Sequence, residues 1–218
     1  MRDTRKNKEY FNSFIKYQYF RIEKKLAKFK EADEAKQQRV LVSLTGLEID
    51  LLKAEFSVGA TKENLKTLLN RAIGIIYKYN NITYEDLLNL LSLAIIINDK
   101  NEAKKIIETN KKIVNNDRLL HYLSSYICGQ EAIWDKNLQL PKEFSDLDKV
   151  FVSDNKESEL TSYLDGWYRK HSGYGWYDSH LGSSDTYCGY WSFESAAIAK
   201  ILGLQEETLK ESVYYPYL

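Results

Sequence analysis

Apolar residues recur at helical spacing through most of the chain, with polar residues between them. In the first half, apolar positions three or four residues apart form stripes that begin at Phe11, Val40, Leu65 and Leu87. Such spacing places one face of an α-helix against a core. The pattern therefore predicts four helices in this half and an all-α fold.

Capping residues and shorter stripes extend this prediction. Thr61 precedes the third stripe as a possible N-cap, and Thr83 with Asp86 has the spacing of a capping arrangement. Shorter helices are predicted at residues 102–108, 117–127, 160–169 and 191–202. Because the connections are short, we expect an antiparallel helical bundle or stacked helical pairs.

Two stretches lack the helical pattern. Residues 138–159, around Pro141, are polar and turn-prone, which indicates either a connection or a pair of short helices between two lobes. Residues 171–190 are rich in glycine and tyrosine, and long irregular segments in compact domains are often functional. We expect a packed aromatic loop before the last long helix, an N-terminal helical domain at 1–114 and a C-terminal helical domain at 115–218.

Composition narrows the class of protein. The chain of 218 residues can bury a core without covalent staples. Cys128 and Cys188 form no CxxC pair and no His/Cys cluster, so neither a disulfide framework nor a zinc site is predicted. The basic N-terminus is interrupted by charge and tyrosine, and no apolar run reaches bilayer length. The sequence predicts a soluble cytoplasmic protein without a membrane span.

Charge is unevenly distributed along a chain that is neutral overall. Residues 1–140 contain 24 Lys and Arg against 18 Asp and Glu, and residues 141–218 contain 7 against 13. The first part therefore has an excess of six basic residues and the second an excess of six acidic residues. Solvated helix faces explain such asymmetry, and so does an acidic face offered to a basic partner.

Candidate chemistry is densest near the C-terminus, where Asp178, His180, Asp185 and Glu194 follow one another. Carboxylates and an imidazole suit metal binding or proton transfer, which is the enzyme hypothesis. However, the spacing matches no metal motif, Cys188 has no adjacent base, and no glycine-rich phosphate loop follows a strand. We therefore expect no enzyme, and no catalytic, cofactor-binding or metal-binding residue.

Nucleic-acid binding is a further hypothesis, because residues 1–30 contain ten Lys and Arg against three acids, interleaved with Tyr10, Tyr17, Tyr19 and Phe20. Basic residues beside aromatic ones can bind phosphate and stack bases. These aromatic residues lie at helical spacing, however, which predicts that they belong to the core. Direct nucleic-acid binding is therefore not expected.

Glu194 lies among the apolar positions of the last predicted helix, close to Trp191, Ile198 and Ile201 on a helical wheel. A buried carboxylate without partners is costly, so a donor must be near. The candidates are the N–H groups of the first turn, a tyrosine hydroxyl, Arg169 or an imidazole. We expect Glu194 to tie the preceding loop to this helix.

Several short segments of the C-terminal third are distinctive in their amino-acid sequence and in their order along the chain. They are "WY" at 167–168, "WYDSH" at 176–180, "DTYCGYWSFE" at 185–194, "AAIAKILGL" at 196–204 and "YYPY" at 214–217. Together they resemble the C-terminal domain of the PoNe immunity proteins (PoNi), which protect bacteria from polymorphic nuclease effector toxins. The N-terminal "MRDTRKNKEYF" is similar to the start of the same family. Cys188 is a departure, since a second tyrosine is expected there.

The resemblance implies a non-enzymatic protein, without a cofactor, that binds a cognate DNase toxin and blocks it. The family motif residues are expected to be mostly scaffold: Trp167, Tyr168, Trp176, Tyr177, His180, Tyr190, Trp191 and Glu194. The candidate toxin contacts are acidic: Asp146, Asp148, Asp154, Glu157, Glu159, Asp165, Asp178 and Asp185. The alternative is a helical scaffold of the TPR type that binds peptides or proteins. The oligomeric state stays open.

Overall fold

A computed structural model describes residues 1–79 and 82–218, and within these ranges the regular structure is helical, without strands. The helices are α1 (Lys8–Glu31), α2 (Glu34–Val58), α3 (Lys62–Tyr79), α4 (Tyr84–Ile96), α5 (Asn101–Thr109), α6 (Lys111–Asn115), α7 (Arg118–Cys128), α8 (Pro141–Phe144), α9 (Leu147–Val152), α10 (Lys156–Lys170) and α11 (Phe193–Leu202). A short 3-10 helix follows at Leu209–Glu211. The predicted all-α fold is confirmed.

Local sequence explains where these helices begin and end. Asn7 and Asp33 cap α1 and α2, because each side chain accepts a hydrogen bond from a backbone N–H of the first turn. The predicted cap at Thr83 is confirmed, since its hydroxyl accepts from the Asp86 N–H at 3.1 Å. Helix α2 ends at Gly59 and α7 at Gly129, both with positive φ, a conformation that glycine adopts without strain.

The residues 1–87 and 178–189 form one compact unit, called the first unit below. In it α1 packs on α2 and α2 packs on α3. The apolar stripes predicted from the sequence supply its core, with Phe11, Leu51, Phe56 and Leu65 fully buried. Consecutive antiparallel helices joined by short loops account for this packing.

The residues 88–177 and 190–218 form the second unit. Its buried apolar residues include members of α4, α5, α7, α9, α10 and α11, with Leu119, Leu160 and Phe193 inaccessible to solvent. The polar stretch around Pro141 contains the short helices α8 and α9. The domain boundary placed between residues 114 and 115 stays a prediction.

Helix α1 corrects one expectation. Phe11 and Phe14 are buried as predicted, but Tyr17 is 53% exposed, Phe20 is 56% exposed and Tyr19 is 37% exposed. The buried face of α1 instead continues through Gln18 and Ile22. The prediction that these aromatic residues belong to the core is therefore wrong for Tyr17, Tyr19 and Phe20.

None of the helices in the described ranges combines the length and the hydropathy that crossing a bilayer requires.

Asp117 provides a test of how the second unit is held together. Its carboxylate caps α7 by accepting from the Leu120 N–H at 2.8 Å, and it also accepts from the Gln139 N–H at 2.8 Å. Because Asp117 is fully buried, Asp117→Ala leaves buried donors unpaired and should lower the free energy of unfolding by about 2 kcal/mol.

Urea unfolding followed by circular dichroism measures this loss. Asp33→Ala is the matched control, because Asp33 caps α2 through the same kind of bond on an exposed surface. Water can replace that bond, so the control should lose clearly less stability. Equal losses for the two variants would show that the burial of Asp117 does not matter.

Candidate functional site

Glu194 lies in the first turn of α11 and is 3% exposed. Its Oε1 accepts three hydrogen bonds, from the Tyr163 hydroxyl at 2.6 Å, the Trp167 indole N–H at 2.7 Å and the Ser192 hydroxyl at 2.6 Å. Hydrogen bonds to an ionised acceptor are stronger than those between neutral groups. Among the donors considered from the sequence, a tyrosine hydroxyl is thus confirmed, while the indole and the serine were not foreseen.

The donors to Glu194 come from separate parts of the second unit. Tyr163 and Trp167 are four residues apart on α10 and therefore share one helix face. Ser192 immediately precedes α11, and its backbone N–H donates to the Tyr214 carbonyl at 2.9 Å. The carboxylate thus joins α10, the start of α11 and, through Ser192, the C-terminal segment.

An aromatic cluster surrounds this carboxylate. Trp167 stacks on Trp176 with ring centroids 5.6 Å apart. Tyr168 stacks on Tyr177 at 4.4 Å and lies 5.0 Å from Tyr190. Trp167 and Tyr190 are buried, and so is Trp191. These motif residues therefore hold the second unit together.

His171 closes the same cluster. It is buried, its ring lies 4.7 Å from the Trp167 ring, and its Nδ1 is 2.7 Å from the Trp167 carbonyl oxygen. Because a carbonyl oxygen only accepts, Nδ1 must be the protonated nitrogen. The imidazole is thus oriented by the backbone of α10, which is a structural role.

The segment 178–189 belongs to the first unit and meets the N-terminus of the chain. The Tyr187 hydroxyl donates to the Asp3 carboxylate, and the Tyr10 hydroxyl both donates to the Tyr187 carbonyl and accepts from its N–H, each at 3.0 Å. The Ser57 hydroxyl donates to the Cys188 carbonyl at 2.8 Å. Motifs from the two ends of the sequence therefore meet in one structure.

Of the residues proposed for an enzyme site, Asp178, His180 and Asp185 lie in this segment of the first unit, whereas Glu194 lies in the second unit. The His180 ring packs 5.9 Å from the Tyr187 ring. Asp178 and Asp185 are exposed. Over residues 1–79 and 82–218, no group of three His, Cys, Asp or Glu side chains is arranged to hold a metal ion.

Cys188, the position where tyrosine was expected, is buried and interacts with half-buried acidic groups of α2 and α4. Its Sγ is 3.8 Å from the Asp50 carboxylate. Burial, together with Asp50 and Glu85, raises the pKa of the thiol far above its ordinary value. Since only the thiolate is a strong nucleophile, this cysteine is unreactive at neutral pH.

Three of the acidic toxin-contact candidates make contacts within the second unit. Asp146 pairs with Lys170 at 2.5 Å, and these bonds lower the pKa of its carboxyl. Asp148 accepts from the Trp134 indole N–H at 2.8 Å and pairs with Arg118 at 2.5 Å.

Glu157 accepts from the Gln205 N–H at 3.4 Å. Glu159 is half-buried, whereas Asp154 and Asp165 are exposed. The two exposed carboxylates are therefore the candidates of this unit that are most accessible to a partner.

An apolar surface that sequence reasoning missed lies near Asp154. The Trp134 and Phe151 rings stack at 4.0 Å with an interplanar angle of 11°. Their sequence neighbours Ile133 and Val152 are 47% and 85% exposed. Ile133, Trp134, Phe151 and Val152 are called the apolar patch below. Only tertiary contacts could have revealed it, because residues 133–134 lie in a loop without periodicity.

The sequence model of the family "PoNe immunity proteins (PoNi), C-terminal" matches residues 115–218. Over these residues the chain is similar to the PoNi family. The match includes Glu194, its three donors and the apolar patch. It begins at Asn115, the last residue of α6, and ends at residue 218.

The fold also occurs in a solved structure, protein PA2201 from Pseudomonas aeruginosa. The two chains superpose with a TM-score of 0.73 over 98% of this chain and 88% of that chain, at 17% sequence identity. At such identity the likeness shows a shared fold. A search of curated proteins returned no matching sequence.

Substitution of Glu194 tests its structural role. Glu194→Ala leaves three buried donors without an acceptor and should lower the free energy of unfolding by about 3 kcal/mol or more. Glu194→Gln keeps one acceptor oxygen in place and should lose less. Thermal and urea unfolding measure both effects.

Tyr163→Phe is the matched control for this pair, because it removes a single donor and leaves the acceptor satisfied by Trp167 and Ser192. Its loss should be smaller than that of Glu194→Ala. An unfolding midpoint of Glu194→Ala equal to that of the unsubstituted protein would refute the structural role.

Proposed function

We propose that this chain is an immunity protein that binds a cognate DNase toxin in the cytoplasm and blocks it without catalysing a reaction. The observation that carries the proposal is the PoNi family match over residues 115–218. Toxin neutralisation by binding needs no catalytic group. It needs a stable surface that complements the toxin. By binding the toxin, such a surface would protect the cell during competition between bacteria.

The apolar patch supports a binding role for the second unit. Interfaces commonly have an apolar, aromatic centre surrounded by polar residues. Here Val152 is 85% exposed and follows Phe151, whose ring stacks on that of Trp134. The exposed Asp135 and Asp154 lie within two residues of the patch in sequence. We infer that Val152 and Ile133 are anchors of the toxin interface.

Electrostatics supports the same assignment. Nuclease domains grip DNA through basic surfaces, so an acidic partner can cover such a surface and associate quickly. Asp154 and Asp165 are exposed in the second unit, and residues 141–218 carry an excess of six acidic residues. In this proposal Asp146, Asp148 and Glu157 do not contact the toxin themselves. Their contacts within the second unit hold the surrounding surface residues in position.

Asp178 and Asp185 are exposed on the first unit and stay secondary candidates for toxin contact.

The direct test is co-expression with the toxin encoded in the neighbouring reading frame. We expect survival of the host cell, inhibition of DNA cleavage in vitro and a stable complex on size-exclusion chromatography. Continued killing together with no complex would refute the proposal. Capture of several unrelated peptides and no nuclease would instead favour a TPR-type scaffold.

Val152→Asp tests the apolar anchor. It places a charge at the centre of the patch and should weaken toxin binding at least about tenfold, because a buried unpaired charge is costly at an interface. The unfolding temperature should not change, since the side chain is 85% exposed. Val213→Asp is the matched control, because Val213 is 61% exposed on the C-terminal segment. Equal effects of the two variants would remove the patch from the interface.

Charge reversal tests the electrostatic contribution. The double variant Asp154→Lys/Asp165→Lys should slow association with the toxin about tenfold at low ionic strength and much less at high ionic strength. Stopped-flow mixing measures the rates. The control is Glu207→Lys/Glu211→Lys, which reverses two exposed acids on the C-terminal segment. An association rate that is independent of salt would contradict acidic complementarity.

A further inference from the structure

One face of α1 exposes aromatic rings among basic side chains. Tyr17 and Phe20 are 53% and 56% exposed. They line a groove of about 240 Å³ whose other lining residues are all basic, namely Arg21, Lys24, Lys25 and Lys28. These six residues are called the basic stripe below. No acidic residue lines this groove.

The three lysines of the basic stripe form no ion pair with a described carboxylate. No carboxylate oxygen in the described ranges lies within 4.0 Å of the ammonium groups of Lys24, Lys25 or Lys28. The Arg21 guanidinium donates to the neutral Gln18 side chain at 3.0 Å. Because these side chains carry charges of the same sign, the surface attracts a polyanion.

The two rings are also placed for a ligand. The Tyr17 and Phe20 rings are 6.4 Å apart and within 21° of parallel. Arg21 lies 5.6 Å from the Tyr17 ring and Lys24 lies 5.9 Å from the Phe20 ring. Each ring therefore has a cation beside it, an arrangement in which stacking and phosphate contacts can be made together.

The basic surface continues beyond the first groove. Lys28 also lines a second groove of about 380 Å³, together with Lys36 and Arg39 and with the single acid Glu31. Arg21, Lys24 and Lys28 follow each other three or four residues apart, which is about 5 Å along the helix axis, and Lys25 is next to Lys24 in sequence. Such a row suits a linear chain of negative charges.

We propose that the basic stripe binds single-stranded nucleic acid, a function beyond toxin neutralisation. The row of cations follows the phosphates, and Tyr17 and Phe20 stack on unpaired bases. A duplex offers no exposed base faces to these rings. An anionic membrane fits less well, because the apolar face of α1, including Phe11 and Phe14, is buried in the first unit and cannot insert.

Fluorescence anisotropy with a labelled single-stranded oligonucleotide and the full chain tests this proposal. We expect binding at low salt that weakens about tenfold or more as salt is raised to a physiological level. Lys24→Gln/Lys28→Gln should weaken binding about tenfold. Tyr17→Ala/Phe20→Ala should weaken binding to the single strand about tenfold and change binding to the matching duplex little.

Lys104→Gln/Lys112→Gln is the control variant, because it removes two exposed lysines of the second unit. It should bind the oligonucleotide as the unsubstituted chain does, and all variants should keep their helical circular dichroism. No binding at low salt, or an equal loss in the control, would overturn the proposal.

Competition separates other anionic partners. Polyglutamate that displaces the oligonucleotide at equal charge concentration would indicate an acidic protein segment and overturn the proposal. Stripe-dependent binding to phosphatidylglycerol vesicles in place of the oligonucleotide would overturn it in favour of a membrane. Since every measurement uses the isolated chain without toxin, its outcome does not depend on the proposed immunity function.

Discussion

A buried carboxylate is stable only when hydrogen-bond donors surround it. In the second unit this requirement applies to Glu194. One oxygen accepts from a tyrosine, a tryptophan and a serine that lie on α10 and just before α11. Losing one partner leaves strong polar groups unpaired in an apolar cluster. The relative position of these helices is therefore coupled to a single side chain, and the neighbouring rings of Trp167, Trp176 and Tyr190 pack around it.

In the first unit, hydrogen bonds hold the irregular segment 178–189 in place. Tyr187 and Cys188 are attached through Asp3, Tyr10 and Ser57. Arg2 reinforces the start of the chain by donating to the Phe56 carbonyl at 2.9 Å. The distinctive motifs at both ends of the sequence thus satisfy hydrogen bonds of the fold.

The two surfaces that we propose for binding are opposite in character. The apolar patch of the second unit lies close in sequence to exposed acids, whereas the groove of the basic stripe on the first unit is lined by two aromatic and four basic residues. The net charge of zero for the whole chain indicates neither the apolar patch nor the basic stripe. Each surface exposes apolar rings or side chains that contribute little to the core, which is the property expected of binding residues.

Periodicity and capping chemistry in the sequence alone determined the helices, because the 3.6-residue repeat and residues such as Thr83 and Asp117 act locally. The sequence also determined that Glu194 had to be buried and paired. Tertiary structure decided which donors reach it, that residues 178–189 join the first unit, and that Tyr17 and Phe20 point to solvent. These outcomes depend on contacts between residues far apart in the chain. A helical pattern alone does not reveal which aromatic side chains of α1 pack against another helix and which stay exposed.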